Sequence, residues 1–309
     1  MPRSVVIGAV NIDIGAISSA PLRERDSNPG RVGTSLGGVG RNIAHNLCLL
    51  GVDTAMVTVL GEDGFAQEIR RNARAIGLDL THSAVIPGAR TSTYVYLAGP
   101  DGDMTTAVND MDIYAHITPD FLAERLDFIN RADLAVIDAN LPEESIRWLC
   151  DHAAVPVVCD PVSAVKAEKL RSVLGRLKAL KPNRLEAEAL SGVTIRSRED
   201  ALRAAERLLD TGLEQVYISL SSDGICAAAR TGERVLLPCP RVHVVNATGG
   251  GDAMTAALAA SLLRGDGLAD TARNAICAGA FASTAETTIH PDMSWKNIET
   301  IRESEDYWK

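Results

Sequence analysis

The chain has 309 residues, enough for one large α/β domain, and 46% of them are apolar, which supports a substantial core. A formal net charge of −9 argues against a nucleic-acid-binding surface. No stretch has the apolar length of a membrane span or a signal-peptide core. The six cysteines are scattered without a Cys-x-x-Cys pair. They predict reduced thiols in a cytoplasmic protein, and the dispersed histidines give no structural zinc site.

The first part of the chain predicts the start of a layered domain and a small β lid. Residues 101–102, Asp-Gly, are a hairpin signal between two β-rich runs. We therefore expect parts of about 12–36 and 90–110 to form a small sheet beside the main body. In chain order we predict a strand at 4–10, a loop with short strands at 16–36, a helix after 37–38, a strand at 54–60, a helix ending near 77, and strands at 91–97 and 104–108.

The remainder alternates short apolar strands with helices, a pattern typical of a mainly parallel sheet covered on both faces. We interpret 1–309 as one such domain because no long linker interrupts the pattern. We expect helices at 119–130, 142–152, 197–209, 250–264 and about 267–286. The expected strands are 134–138, 155–159, 177–180 and 216–220, with a further strand ending at 242–245.

The segment 246–252 places three consecutive glycines at the start of a predicted helix. Since glycine loses the most backbone entropy on folding, this makes sense where the backbone approaches a ligand closely. A helix N-terminus presents unpaired N–H groups and the positive end of the dipole, and so binds anions such as phosphate. Asp252 adds a carboxylate where a base can serve phosphoryl transfer. The alternative is a flexible turn in which Thr248 or Asp252 caps the helix.

Glycines or polar residues also follow most of the predicted strands. In such sheets, ligands bind beyond the carboxyl ends of the strands. A single Asn or Asp there is better explained as a turn former, and the glycine pair as a tight turn, but so many in register favour a site. The residues are Asn11, Asp13, Gly37, Gly38, Asn42, Asn109, Asp112, Asn140, Asp160, Asn183 and Glu186.

Asn183 and Glu186 lie three residues apart on a predicted first helical turn, so both can address a hydrated Mg²⁺ or a triphosphate. A helix-capping pair is an equally good explanation. Lys166 is the basic residue that we place near phosphates, with a solvated surface lysine as the alternative. The small-residue loop 219–224 can pass over an adenine, although an ordinary turn explains it better locally. Its candidate residues are Ser219, Ser221 and Gly224.

Four motifs, in order, resemble those of the ribokinase-like (PfkB) carbohydrate kinases. They are 37–44 (Gly-Gly-Val-Gly-Arg-Asn-Ile-Ala), 246–253 (Asn-Ala-Thr-Gly-Gly-Gly-Asp-Ala), Gly8-x-x-Asn11-x-Asp13 and Lys181-Pro182-Asn183-x-x-Glu186. Short stretches at 107–113, 160–166 and 288–291 are similar to the pseudouridine kinases within that family. The resemblance spans essentially the whole chain. It implies a Rossmann-like α/β/α core with a small β lid, and a homodimer formed through the lid.

This resemblance implies phosphorylation of the ribose 5′-hydroxyl of pseudouridine, with ATP and Mg²⁺. Asp252 would be the general base, and the N–H groups of Gly249, Gly250, Gly251 and Asp252 the anion hole. Asn183 and Glu186 would organise Mg²⁺ and the phosphates, and adenine would lie between loop 219–224 and the helix from about 267. The substrate would contact Asn11, Asp13, Gly37, Gly38, Asn42, Asn109, Asp112 and Asn140. The ATP side would also include Lys166, Thr248, Gly251, Ser219, Ser221 and Gly224.

Two positions depart from the family pattern. Asn246 stands where the second signature usually has Asp, a residue that often helps to hold a monovalent cation, which puts potassium activation in question. Gly250 stands where Ala is more common; since only a methyl group is lost, we expect the anion hole to survive with a looser backbone.

Other functions are compatible with parts of the pattern. A kinase of the same family acting on ribose, another nucleoside or a ketose phosphate uses the same motifs. A non-catalytic sugar or nucleotide sensor is disfavoured by the intact Asp252 and the Asn183/Glu186 pair. A Rossmann dehydrogenase is disfavoured because no Gly-x-Gly-x-x-Gly follows the first strand.

Overall fold

The computed structural model of the chain describes residues 3–308. Its strands are β1 (Arg3–Ile7), β2 (Asn11–Ser18), β3 (Gly30–Gly37), β4 (Asp53–Val57), β5 (Val59–Leu60), β6 (Ala84–Val85), β7 (Thr93–Ala98), β8 (Met104–Asp110), β9 (Leu134–Asp138), β10 (Val157–Asp160), β11 (Ala179–Leu180), β12 (Gln215–Ser219), β13 (Ile225–Ala229) and β14 (Arg234–Leu237). Its helices are α1 (Val39–Leu49), α2 (Gly64–Ala75), α3 (Pro119–Ala123), α4 (Leu126–Ile129), α5 (Glu143–His152), α6 (Ala164–Ala167), α7 (Arg184–Ser191), α8 (Arg198–Leu209), α9 (Gly250–Arg264), α10 (Leu268–Ala282) and α11 (Trp295–Glu303). None of these helices has the length and apolar character needed to cross a membrane.

The main sheet has the strand order β14-β13-β12-β11-β10-β9-β1-β4. The pairs from β4 to β12 are parallel, and β13 and β14 run antiparallel at one edge. Successive side chains of β9 enter different cores, with Val136 in one apolar cluster and Ile137 in the other. Strands buried on both faces read as continuous apolar runs, which is why the sequence predicted this layered α/β/α fold. The prediction is confirmed.

A second sheet of four strands, β3-β2-β7-β8, lies beside the main one, and we call it the lid. Its two outer pairs are antiparallel and its central pair, β2 with β7, is parallel. The strands expected within 16–36 are present but longer than predicted, because eight-residue strands pair from Asn11 to Ser18 and from Gly30 to Gly37, with a loop between them. Gly and Ser weaken the local strand signal, but the ladder supplies the hydrogen bonds that hold these segments extended.

Three other local predictions differ from the structure. The run 242–245 is not a strand: Val244 and Val245 are exposed, and the Val245 N–H donates to the Ser283 carbonyl. The single helix predicted at 119–130 is two helices, because the Arg125 guanidinium donates to the Phe121 carbonyl at 2.7 Å and ends the first. A further helix, α11, follows α10, which ends at Ala282 rather than near 286.

Candidate active site

The glycine-rich segment forms the start of α9, as predicted. Gly249 is the residue before the first helical turn and has φ of +86°, a left-handed conformation that favours glycine. A Cβ added there would lie 2.1 Å from the Thr288 carbonyl oxygen. No side chain caps this helix, so the alternative of a cap by Thr248 or Asp252 is wrong. Since the first N–H groups of a helix have no intrahelical acceptor, they remain available to an anion.

Asp252 lies in the first turn of α9 and is tied to α1. The Asn42 Nδ2 donates to Asp252 Oδ2 at 2.8 Å. Arg41 donates to Asn42 Oδ1 at 3.1 Å, which fixes the orientation of the amide. Burial raises the pKa of Asp252 to about 7, aided by Asp160 and opposed by Asn42 and Lys181. A carboxyl with a near-neutral pKa and one fixed oxygen is suited to general base catalysis.

Lys181 lies beneath the glycine-rich segment, a role that we did not predict. It is 4% exposed, and its Nζ lies 3.1 Å from Asp160 Oδ2, which also accepts from the Thr255 hydroxyl at 2.7 Å. A Cβ on Gly251 would lie 3.1 Å from Nζ. Burial alone would lower the pKa of Lys181, but Asp160, Glu186 and Asp252 outweigh it and raise that pKa. The positive charge of Lys181 therefore adds to the positive end of the helix dipole, and both attract an anion to this point.

Asn183 and Glu186 form a capping box at the start of α7, which confirms the capping interpretation. Both Glu186 oxygens accept from Asn183, Oε2 from its backbone N–H at 2.8 Å and Oε1 from its Nδ2 at 2.7 Å. Burial and Asp160 raise the pKa of Glu186 to about 7. Residues 3–308 contain no cluster of three or more His, Cys, Asp or Glu side chains suited to a metal. The pair nevertheless fits Mg²⁺ held through its waters, since Mg²⁺ uses few carboxylates and keeps several waters.

The loop 219–224 packs beside the start of α7. The Ser219 N–H donates to the Pro182 carbonyl at 2.9 Å, and Arg184 pairs with Asp223. Ser221 begins a short 3₁₀ turn, and Gly224 follows it with φ of +103°. The ordinary-turn interpretation is therefore correct for its backbone. Its position beside the capping box keeps Ser219, Ser221 and Gly224 on the same side of the site as Asn183.

Asp13 and Asn11 stand at the junction of the lid and the body. The Asn11 Nδ2 donates to Asp13 Oδ1 at 2.5 Å, and burial raises the pKa of Asp13 to about 6. A Cβ on Gly37 would lie 2.3 Å from Asp13 Oδ2. Gly38 has φ of +97° and packs against the Ala9 carbonyl. The glycine pair thus lets α1 begin directly against Asp13. Its role is therefore more than that of a tight turn.

Asn140 and Lys166 meet just beyond the carboxyl end of β9. Lys166 is half-buried, so the solvated-lysine alternative is wrong; its Nζ donates to Asn140 Oδ1 and lies 3.9 Å from Met111 Sδ. The contacts found for Lys166 join it to Asn140 and Met111 rather than to the glycine-rich segment. Asp138, fully buried, was not predicted and accepts from the Ala9 and Asn140 backbone N–H groups, each at 2.8 Å.

The inner face of the lid carries two tyrosines that we did not predict. The register places Asp13 beside Tyr94 and Tyr94 beside Asn109, so these side chains share one face. Tyr96 lies on the same face, over Gly15, where a Cβ would be 2.4 Å from its hydroxyl. Asp112 is exposed in the 3₁₀ segment after β8. The alternation of residue types in β7 was a sequence signal that Tyr94 and Tyr96 lie on one face of a strand.

A cleft of about 1090 Å³ separates the lid from the body. Asp13, Tyr94 and Tyr96 line it from the lid side, and Thr248 and Thr288 from the body. This volume is at the upper end of that of small-molecule sites. The cleft therefore joins the predicted acceptor residues to the loops that surround the start of α9.

Residues 1–296 match the family model described as pfkB family carbohydrate kinase. The chain belongs to the pfkB family of carbohydrate kinases. It is 39% identical over 301 residues to the pseudouridine kinase of Escherichia coli strain K12, covering 97% of this chain and 96% of that protein. A carbohydrate kinase structure from Agrobacterium tumefaciens is 28% identical with a TM-score of 0.86, covering 98% and 97% of the two chains. The Arabidopsis thaliana ribokinase, solved with ribose and ATP, has a TM-score of 0.84 at 22% identity, covering 98% and 99%.

Membership in the pfkB family confirms the predicted resemblance and fold. It makes the chain a phosphotransferase with a hydroxyl group as acceptor. The match includes both glycine-containing motifs, 37–44 and 246–253. The Asn42–Asp252 hydrogen bond joins these two motifs in space.

Proposed function

We propose that this chain transfers the γ-phosphoryl group of ATP to the ribose 5′-hydroxyl of pseudouridine. The observation that carries the proposal is Asp252, held by Asn42 at the open N-terminus of α9, with a pKa of about 7. The 39% identity to the pseudouridine kinase of E. coli supports the choice of acceptor. The products are ADP and pseudouridine 5′-phosphate.

Asp252 Oδ1, the oxygen that Asn42 does not engage, takes the proton of the 5′-hydroxyl. The hydroxyl oxygen bonds to the γ-phosphorus as the bond from that phosphorus to the bridging oxygen breaks, and ADP leaves with the electron pair. The N–H groups at the start of α9 stabilise the negative oxygens of the transferring group. Lys181, beneath Gly251, adds a fixed positive charge in a site of low polarity.

The remaining residues position the two substrates. The Asp13 carboxylate accepts hydrogen bonds from ribose hydroxyls and the Asn11 amide contacts the same hydroxyls, while Tyr94 and Tyr96 present aromatic faces to the base. Asn183 and Glu186 would hold Mg²⁺, which would neutralise phosphate charge. The loop 219–224 and α10 enclose the adenine.

A substrate panel tests this function. ADP release is measured with ATP and each of pseudouridine, uridine, inosine, ribose and fructose 6-phosphate, and the phosphorylated position is assigned by ³¹P–¹H NMR. We expect the highest kcat/KM with pseudouridine and phosphate on the 5′ oxygen. A higher value with another acceptor would favour a different kinase of the family. Ligand binding without turnover on any acceptor would instead indicate a sensor.

We further propose that a second copy of the chain covers the outer face of the lid. This face is apolar, and Val32 and Val108 are 73% and 71% exposed on it. Such a contiguous exposed patch is a mark of an interface. The register assigns to it Ile14, Ala16, Val32, Val95, Leu97 and Val108.

Sedimentation velocity tests the dimer. The parent should sediment as a dimer and the Val32→Lys/Val108→Lys variant as a monomer, because two charges per chain would be buried without partners. Val165→Lys, at an equally exposed valine on α6, is the control and should remain dimeric. A monomeric parent would contradict the proposal.

A further inference from the structure

Asn246 bridges the two segments that surround Gly249. Its Nδ2 donates to the Glu286 carbonyl and its Oδ1 accepts from the Thr248 N–H, both at 2.9 Å. The partners fix the orientation of this amide, because a carbonyl oxygen can only accept and a backbone N–H can only donate. The Asn246 backbone N–H adds a bond of 3.1 Å to the Ser283 carbonyl.

The bridge sets the distance between the loop 246–248 and the segment 283–288. Gly249 packs against the Thr288 carbonyl so closely that a Cβ would lie 2.1 Å from that oxygen. The left-handed conformation of Gly249 directs the first N–H groups of α9. Movement of either segment would therefore change the anion hole.

An aspartate at position 246, the residue usual in the family, would place a carboxylate oxygen against the Glu286 carbonyl. Two acceptors at that separation repel, and a monovalent cation between them removes the repulsion. In this chain the Asn246 N–H group already points at the Glu286 carbonyl. An alkali cation is coordinated by oxygen atoms, and an N–H hydrogen carries positive charge, so these residues do not fit the cation.

We infer that the Asn246 side chain replaces the monovalent cation, and that the geometry of the anion hole in this protein is independent of potassium. Asn246 lines the cleft beside Thr248, and it acts as a positioning residue because it holds the two segments between which Gly249 lies. The expected effect on turnover depends on the proposed kinase activity, whereas the expected effect on thermal unfolding does not.

The test compares the parent, Asn246→Asp and Asn246→Ala in potassium chloride and in tetramethylammonium chloride at equal ionic strength. Thermal unfolding and turnover are both measured. For the parent we expect Tm values within about 1 °C and turnover within about twofold in the two salts. Asn246→Asp should lose at least about tenfold in turnover and about 2–4 °C in Tm without potassium, because the carbonyl and carboxylate face each other unpaired.

Potassium should restore both quantities in Asn246→Asp but not in Asn246→Ala, which lacks the carboxylate. Asn297→Asp is the matched control, since its Nδ2 also donates to a backbone carbonyl, that of Asp292 at 2.7 Å, far along the chain in α11. In this variant turnover should not respond to potassium, because residues 292 and 297 lie outside the segments 246–248 and 283–288. A parent whose Tm or turnover rises with potassium would overturn the inference, as would an Asn246→Asp variant identical to the parent in both salts.

If no acceptor is turned over, the proposed function fails while the unfolding comparison still decides the role of Asn246. If Asn246→Asp does not fold, the Tm and turnover of the parent in the two salts decide whether the protein depends on potassium.

Discussion

The buried charges of Asp160 and Lys181 beneath the start of α9, which we call the floor, and the lid are built in opposite ways. In the floor, Lys181 and Asp160 are each 4% exposed and paired with one another. In the lid, charged groups are few and large apolar side chains such as Val32 and Val108 face outward. The floor thus places charge where water is excluded, whereas the lid places apolar surface where a partner can cover it.

This difference follows from what each half has to do. Phosphoryl transfer depends on charges and dipoles that are already oriented before reaction, which needs a packed and fully paired surrounding. A lid has to admit and enclose an acceptor, which requires an element with few contacts to the body. Variants in the floor should therefore have larger effects than comparable variants at the surface or in the glycine-rich loop.

The largest effect on stability is expected from Lys181→Met. This change leaves Asp160 buried without its partner, and breaking such a pair costs about 3–5 kcal/mol. Urea unfolding measures the loss. Lys178→Met removes the pair with Glu214, 2.8 Å apart but with Lys178 32% exposed, and should cost no more than about 1 kcal/mol. Equal losses of unfolding free energy in the two variants would show that the buried Lys181–Asp160 pair contributes no more to stability than an exposed pair.

Asp252→Asn should have the largest effect on turnover. Without a base, kcat should fall by at least roughly 10²-fold, while ATP affinity measured by calorimetry changes little. Asp127→Asn, at an exposed carboxylate on α4, controls for the change of charge. Near-normal turnover of Asp252→Asn would exclude Asp252 as the base.

The pH profile separates Asp252 from the carboxylate of the lid. The base acts in its deprotonated form, so kcat/KM should rise about tenfold per pH unit and level off above the pKa of about 7. Burial raises the pKa of Asp13 to about 6, and in the proposed function this carboxylate binds the ribose rather than the proton. Asp13→Asn should therefore weaken binding and leave the inflection near 7 in place. An inflection near 4 in the parent would contradict the raised pKa of Asp252.

The glycine-rich motif above the floor was predictable because its chemistry is local. Three glycines before a helix predict an anion site from backbone properties alone, and the structure shows that helix start. The contact from Asn42 to Asp252 joins residues 210 positions apart and depends on how α1 and α9 pack, so no local pattern contains it. Lys181 was missed for the same reason: a lysine at a strand end predicts solvent exposure, and its partners Asp160 and Thr255 come from other elements.

The lid shows a different limit of what the sequence can predict. Alternation in β7 indicated a strand, but not that Tyr94 and Tyr96 face the cleft, because that depends on the register with β2. The strands β2 and β3 are rich in small residues, and pairing rather than propensity keeps them extended. The polar run 16–36 therefore predicted a loop with only short strands, where the structure has two eight-residue strands joined by a loop.

The smallest effect is expected when single glycines of the segment 246–252 are replaced by alanine. At Gly250 a Cβ would lie 3.4 Å from the Gly279 carbonyl, an ordinary contact, and φ is not positive. Gly250→Ala should stabilise the protein by about 0.4–1 kcal/mol, because it restricts the unfolded chain, with turnover nearly unchanged. Gly249→Ala should instead destabilise by more than about 1 kcal/mol and lower turnover, because φ is +86° and Thr288 occupies the space. Urea unfolding and steady-state kinetics of the two variants measure this contrast, and equal behaviour would mean that the anion hole does not depend on the Gly249 conformation.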